Sequence, residues 1–174
     1  MGTTPQQAVT TSPNAGTGDF VWHELRTTDS QGAIEFYTHV IGWQAKSFDI
    51  PGGVPYTLFS VADSGTAGVM QLTPQMLQDG LRPSWVGFIG VSDVDDYAKR
   101  VEQAGGKLHD PPQDIPAVGR FASVEDPQGA AFLLFKGALD YAPPRPPAGE
   151  LGTVGWNELS AHDEQSAWPF YSGL

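Results

Sequence analysis

The chain contains no cysteine. Disulfides, thiolate nucleophiles and cysteine-ligated zinc are thereby excluded, although the absence alone names no compartment. Basic residues are scarce: nine Lys and Arg stand against twenty Asp and Glu, a formal net charge of −11. That surface repels phosphate backbones and anionic bilayers, so neither nucleic acid nor a membrane is an expected partner. No run approaches the roughly 20 apolar residues of a membrane span. The opening stretch MGTTPQQAVTTSPNAGTG holds no Lys or Arg and no apolar core of signal-peptide length. A cytoplasmic protein with a disordered tail over residues 1–18 is expected.

What the chain does have is repetition. FVWHELRTTDSQGAIEFY (20–37) and VGWNELSAHDEQSAWPFY (154–171) align without a gap and share eight of eighteen positions. The identities are Trp22/Trp156, Glu24/Glu158, Leu25/Leu159, Asp29/Asp163, Gln31/Gln165, Ala33/Ala167, Phe36/Phe170 and Tyr37/Tyr171, at a constant offset of 134.

Between the copies the signals alternate. FVWHELRT has strand composition, and Asp29 caps a predicted helix with Ala33, Phe36, Tyr37 and Val40 on one face, stopped at Gly42. Three strand-like runs follow, WQAKSFDI, PYTLFSVA and AGVMQLT, the first two split by a PGGV turn. A polar loop over 74–83 leads to SWVGFIGV, and Asp93 caps a helix with Val94, Tyr97, Ala98 and Val101 as its apolar stripe. KLHD, RFASVE and AAFLLFK read as strands, with DPQG (126–129) a type I turn between the last two. Residues 138–153 form a Pro-rich linker, and Val154 begins another strand–helix pattern.

Two βαβββ units over 19–137 resemble the vicinal oxygen chelate superfamily of glyoxalase I, bleomycin-resistance proteins and extradiol dioxygenases. The residues that carry the likeness run from Asp29 to Trp43 (Asp, Ala, Phe-Tyr, Gly-Trp), then VSDVDDYAKRVEQAGGK (91–107) and GRFASVEDPQGAAFLLF (119–135). WHEL and PPQDIPAVGRFASVEDPQGA are similar to the tandem glyoxalase-like proteins of actinobacteria. The resemblance implies an α+β fold in which the two units form one cup with helices outside. It further implies that residues 154–174 are the first strand and partial helix of a second, truncated domain of this kind.

In this superfamily, metal ligands come from inward positions of the first and last strand of each unit. The resemblance places those positions at Trp22, Val86, Leu133 and either Met70 or Gln71. None is a dependable ligand for a hard or borderline cation, so neither a metal nor another cofactor is expected. Strand alternation turns Leu25 toward its helix and Trp22, Glu24 and Arg26 into the cup. His23 and Glu24 are adjacent and point to opposite faces. A rearranged site from Glu24, Glu125 and one of His23, His39, His109 or His162 is the metal-dependent alternative.

Glu24 is the candidate catalytic residue, a general base if the cup desolvates it. Its other reading is a structural carboxylate paired with Arg26 or Arg120. Trp22, Arg26, Tyr56, Met70, Val86, Phe88, Arg120, Leu133 and Phe135 are the candidate ligand-binding residues, with Trp22, Phe88 and Phe135 able to stack on a planar ligand. PGGVP lacks the helix and Lys of a phosphate loop, and DVDD lacks the Gly and Glu of a calcium loop. The expected partner is a small, partly apolar organic molecule. Two alternatives remain: a glyoxalase-type lyase or dioxygenase, and an assembly module whose C-terminal segment pairs with another chain. A homodimer is a further expectation.

Overall fold

The computed structural model describes residues 17–49, 55–62, 64–138 and 149–174. Most of the expected disordered tail, the PGGV turn and most of the Pro-rich linker lie outside those residues. The first unit comprises β1 (Phe20–Thr27), α1 (Ser30–Val40), β2 (Gln44–Asp49), β3 (Pro55–Val61) and β4 (Ser64–Gln71). A short helix α2 (Pro74–Gln78) leads to the second unit, β5 (Ser84–Gly90), α3 (Val94–Gln103), β6 (Lys107–Ile115), β7 (Gly119–Glu125) and β8 (Ala131–Gly137). The last element is α4 (Glu164–Gly173).

The strands form one eight-stranded sheet in the order β2-β3-β4-β1-β5-β8-β7-β6. In each unit the first strand runs parallel to the last, β1 with β4 and β5 with β8. The units join where β1 meets β5 antiparallel, with Trp22 opposite Phe88 and Glu24 opposite Val86. This is the α+β architecture expected, a cup with its helices outside.

Helices α1 and α3 start where the sequence puts a cap. Asp29 accepts from Gly32 N at 2.8 Å and Asp93 from Asp96 N at 2.9 Å, each satisfying an N–H that the helix cannot. Gly42, at φ +83°, takes the chain out of α1 in a conformation that a side chain would resist. The helices cover one face of the sheet. Leu25, Ala33, Ile34 and Tyr37 pack on buried Trp43, Phe59, Ala67 and Val69. In the second unit Val94, Ala98 and Val101 of α3 pack on Ala122, Val124 and Leu134. Val86, Phe88 and Leu133 form a third cluster on the opposite face, inside the cup.

Three local expectations need correction. The loop over 74–83 contains α2, capped by Thr73 and started by Pro74 at a position where a missing N–H costs nothing. The strand expected at KLHD runs on to Ile115 through Pro111 and Pro112. It lies at the sheet edge with register shifts after Leu108 and Asp110, the setting in which a strand tolerates proline. The strand expected from Val154 does not form, although the capped helix after it does. Both flanks of β1 are already paired, and residue 157 lies over the helix-side face at His23, where there is no free edge.

Candidate functional site

The cup is set by alternation along its two central strands. Past the register shift between Phe20 and Trp22, Leu25 of β1 packs on the helix side, so Trp22, Glu24 and Arg26 face the other way, beside Gly68 and Met70 of β4 and Val86 and Phe88 of β5. Met70, not Gln71, is therefore the inward residue. Gln71 instead bonds Ser30 N and the Thr28 carbonyl at 2.9 and 2.8 Å, on the helix side. Tyr56 reaches in from β3, where it pairs with Met70. Leu133 and Phe135 line the β8 side, and Phe135 meets Phe88 edge to face at 6.1 Å.

Glu24 sits at the centre, 6% exposed. Arg26 Nε donates to its Oε1 at 3.2 Å. Trp22 Nε1 donates to the Tyr56 hydroxyl at 3.0 Å. Because an indole N–H can only donate, the Tyr56 proton remains for the Glu24 carboxylate, to which Tyr56 is hydrogen-bonded. Burial pushes the Glu24 carboxyl above its ordinary range, opposed by the charge of Arg26 and by the bonds from Arg26 and Tyr56. Glu24 is thus both paired with Arg26 and desolvated.

Gly68 was not among the expected site residues, yet it makes this chain of bonds fit. A Cβ on Gly68 would stand 1.9 Å from the Tyr56 hydroxyl. The signal available in the sequence was a glycine inside a strand, a usual sign of close approach by a neighbouring group.

Arg120 is the expectation that fails. It shares a face with Ala122 and Val124, which pack under α3, while Phe121 joins the cup cluster. Its guanidinium grips Asp95 at 2.7 and 2.9 Å and Asp114 at 3.0 Å, outside the cup. Period-two alternation counted back from the buried Ala122 and Val124 of its own strand turns Arg120 away from the cup. Glu125 is likewise engaged elsewhere, bonded to Lys107 at 2.7 Å and His109 at 3.1 Å, and Lys107 holds its carboxyl below the ordinary range.

The donor set does not suit a transition metal. Glu24 faces Trp22, Met70, Val86 and Leu133 at the strand positions that would have to complete a coordination sphere, and an indole, a thioether and two aliphatic groups supply no hard donor. Among the described residues no three His, Asp or Glu side chains converge. What the site offers is one desolvated carboxyl with a guanidinium and a phenol beside it, walled by apolar and aromatic groups.

Comparison with known proteins gives the following. Residues 19–134 match the Glyoxalase/Bleomycin resistance protein/Dioxygenase superfamily. The chain is 34% identical over 161 residues to the anthracycline biosynthesis protein DauV of Streptomyces sp., covering 86% of this chain and 58% of that one. It is 38% identical over 122 residues to "Putative glyoxylase CFP32" of Mycobacterium bovis, covering 70% of this chain and 45% of the other. The chain thus spans about half the length of these relatives. Among solved structures, a Streptomyces coelicolor methylmalonyl-CoA epimerase in complex with 2-nitronate-propionyl-CoA aligns with a TM-score of 0.53 at 17% identity, covering 73% of this chain and 99% of that one. At that identity the likeness concerns the fold alone.

Proposed function

Because the chain belongs to the Glyoxalase/Bleomycin resistance protein/Dioxygenase superfamily, we propose that its cup binds a small, partly apolar and planar organic molecule around Glu24 without a metal triad. The observation that carries this reading is the Glu24 carboxyl, buried beside Arg26 and Tyr56 and enclosed by Trp22, Val86, Phe88 and Leu133. Aromatic walls favour a flat ligand, whose faces stack on rings while its edge meets a few fixed polar groups. The likeness to an anthracycline biosynthesis protein supports a polycyclic aromatic as the first class to try.

Catalysis is the second step of this proposal. A carboxyl held above its ordinary range accepts a proton more readily from an acidic C–H or O–H of a bound ligand. Arg26 stabilises the carboxylate before transfer, and Tyr56 donates toward it and fixes its orientation. No step here calls on a metal.

Calorimetric titration with planar polyketide-type aromatics tests the binding claim. Binding is expected to weaken at least tenfold, about 1.4 kcal/mol, when Phe88 becomes Ala. Glu24→Gln should keep most of the affinity and abolish any ligand turnover. Affinity unchanged by Phe88→Ala and Trp22→Phe together would remove the cup as the site. One tightly held transition metal per chain, in protein purified without chelator, would favour the lyase or dioxygenase reading instead.

A further inference from the structure

Arg26 differs from the other arginines among the described residues. Arg120 spends its fork on Asp95 and Asp114. Arg100 donates to the carbonyls of Gly173 and Leu174, and Arg82 to those of Leu77 and Leu81. Arg26 bonds only through Nε, to Glu24 Oε1 at 3.2 Å. Yet its side chain is the more enclosed, 13% exposed against 33% for Arg120. The residues opposite it on β4 and β5 do not serve it. Met70 carries a thioether, and the Ser84 hydroxyl donates to the Arg82 carbonyl at 3.3 Å. Among the described residues no side-chain N or O is both buried and without a partner. The two terminal amino groups of Arg26 are therefore still reachable, on the cup face of β1.

A guanidinium keeps its charge in any protein, and the N–H bonds of both terminal amino groups lie in one plane, ready for an ionised oxygen. Such charge-assisted bonds are roughly twice as strong as neutral ones. An anion arriving with its charge would still leave the cup with one positive and two negative groups, a costly state away from water. Glu24 removes that cost by taking a proton. Its carboxyl is 6% exposed, and burial already pushes it toward the protonated form. Gly68, Met70, Val86 and Phe88 face it from the strands on either side, and only Arg26 and Tyr56 bring groups that ionise. Along the same row the next charge is Lys46, three strands away past Gly68 and Leu58. On the other side Glu125 of β7 is also three strands away and is bonded to Lys107. A proton acceptor and a seat for an anion thus lie side by side, with no other charge next to them.

We propose that Arg26 seats an acidic hydroxyl of a planar aromatic ligand as its anion, while the proton of that hydroxyl passes to Glu24. The ligand O–H bond breaks with its electron pair left on the ligand oxygen, and the proton forms an O–H bond on the Glu24 carboxylate. The total charge of the cup does not change. The ligand class narrows from flat aromatics to those whose hydroxyl is acidified by ring carbonyls, as in hydroxyquinones. Hydrocarbons of the same outline, and methyl ethers of the hydroxyquinones, have no such proton to give. Tyr56 keeps its place, because a protonated carboxyl still offers an oxygen to its hydroxyl. The inference rests on the cup being the binding site; it adds which oxygen chemistry the cup selects and where the proton goes.

Quinizarin, a dihydroxyanthraquinone, is a suitable probe, because its visible band moves to longer wavelength when it ionises. The spectrum is read with saturating dye at a pH well below the ionisation midpoint of the free dye. Binding is followed separately by quenching of tryptophan fluorescence. Bound dye should show the ionised band, with its midpoint lowered by about one pH unit or more. In Arg26→Gln, which keeps a side-chain donor for Glu24, the dye should bind about tenfold more weakly and show the neutral band. Calorimetry in two buffers of different ionisation enthalpy should find no net proton release by the parent protein, because the proton stays on Glu24. Bound dye with the neutral band overturns the inference, and so does an ionised band that survives Arg26→Gln. Release of about one proton per dye removes Glu24 as the acceptor. The readings on the parent protein stand whether or not the variant folds. Absence of binding, by contrast, overturns the reading of the cup as the site and this inference with it.

Discussion

Glu24 shows how a single residue can carry both the cost and the use of a site. A carboxyl 6% exposed with one guanidinium beside it is less readily ionised than in water. The consequence for stability has a definite sign. Its folded pKa is raised above the reference value of 4.5, so below that pH both states are protonated and Glu24 adds no pH dependence. As pH rises, the unfolded chain ionises first, and stability falls until the raised folded pKa is passed. Glu24→Gln removes that loss and keeps an acceptor for Arg26. The Tm of the variant minus that of the parent should therefore grow with pH above about 4.5 and then level off. A difference flat across the interval would mean that the carboxyl is hydrated. The neighbouring details are of the same scale: a glycine at position 68 lets the Tyr56 hydroxyl reach Glu24, and an indole donor at Trp22 leaves that hydroxyl its proton.

At the scale of elements, the helices hold the cup by covering its back. α3 buries Val94, Ala98 and Val101 while its first turn carries Asp95 and Asp96, well placed for the positive end of the helix dipole. Its cap, Asp93, accepts from Asp96 N at 2.9 Å. Asp93→Ala should cost about 1 kcal/mol by urea denaturation, with no change in ligand affinity, because α3 lies on the face away from the cup. A loss of affinity as large as the loss of stability would show that the two faces are coupled more tightly than a packed sheet implies. The same reasoning separates Arg120 from the site. Its contacts with Asp95 and Asp114 are exposed ion pairs that fasten β7 to α3 and to β6, and pairs of this kind add little stability in water.

For the whole molecule, charge is the dominant fact. A net charge of −11 on 174 residues makes the folded chain repel itself. Raising ionic strength from near zero to about 0.2 M shortens the screening length below about 10 Å and should raise Tm, where a balanced surface would show almost no response. A fall in Tm with salt would mean that the ion pairs at Arg120 and Lys107 outweigh the general repulsion. The two units share one sheet across β1 and β5, so the cup forms only when both are folded. Cooperative loss of the site and of the fold is expected in the same unfolding transition.

Much of this was fixed along the chain. Cap and stop signals placed α1, cap and stripe placed α3, and period-two alternation set Trp22, Glu24 and Arg26 on one face, because these are local consequences of backbone geometry. The stripe expected on α1 is only half right, since Phe36 and Val40 are exposed and Ile34 packs inward with Ala33 and Tyr37. Tertiary structure decided what depended on neighbours distant in sequence. It chose Met70 over Gln71 through the pairing of β4 with β1, and it turned Arg120 outward with the apolar residues of β7. It also left 154–160 without a strand, since a strand exists only where a partner edge is free, and β1 had none to give.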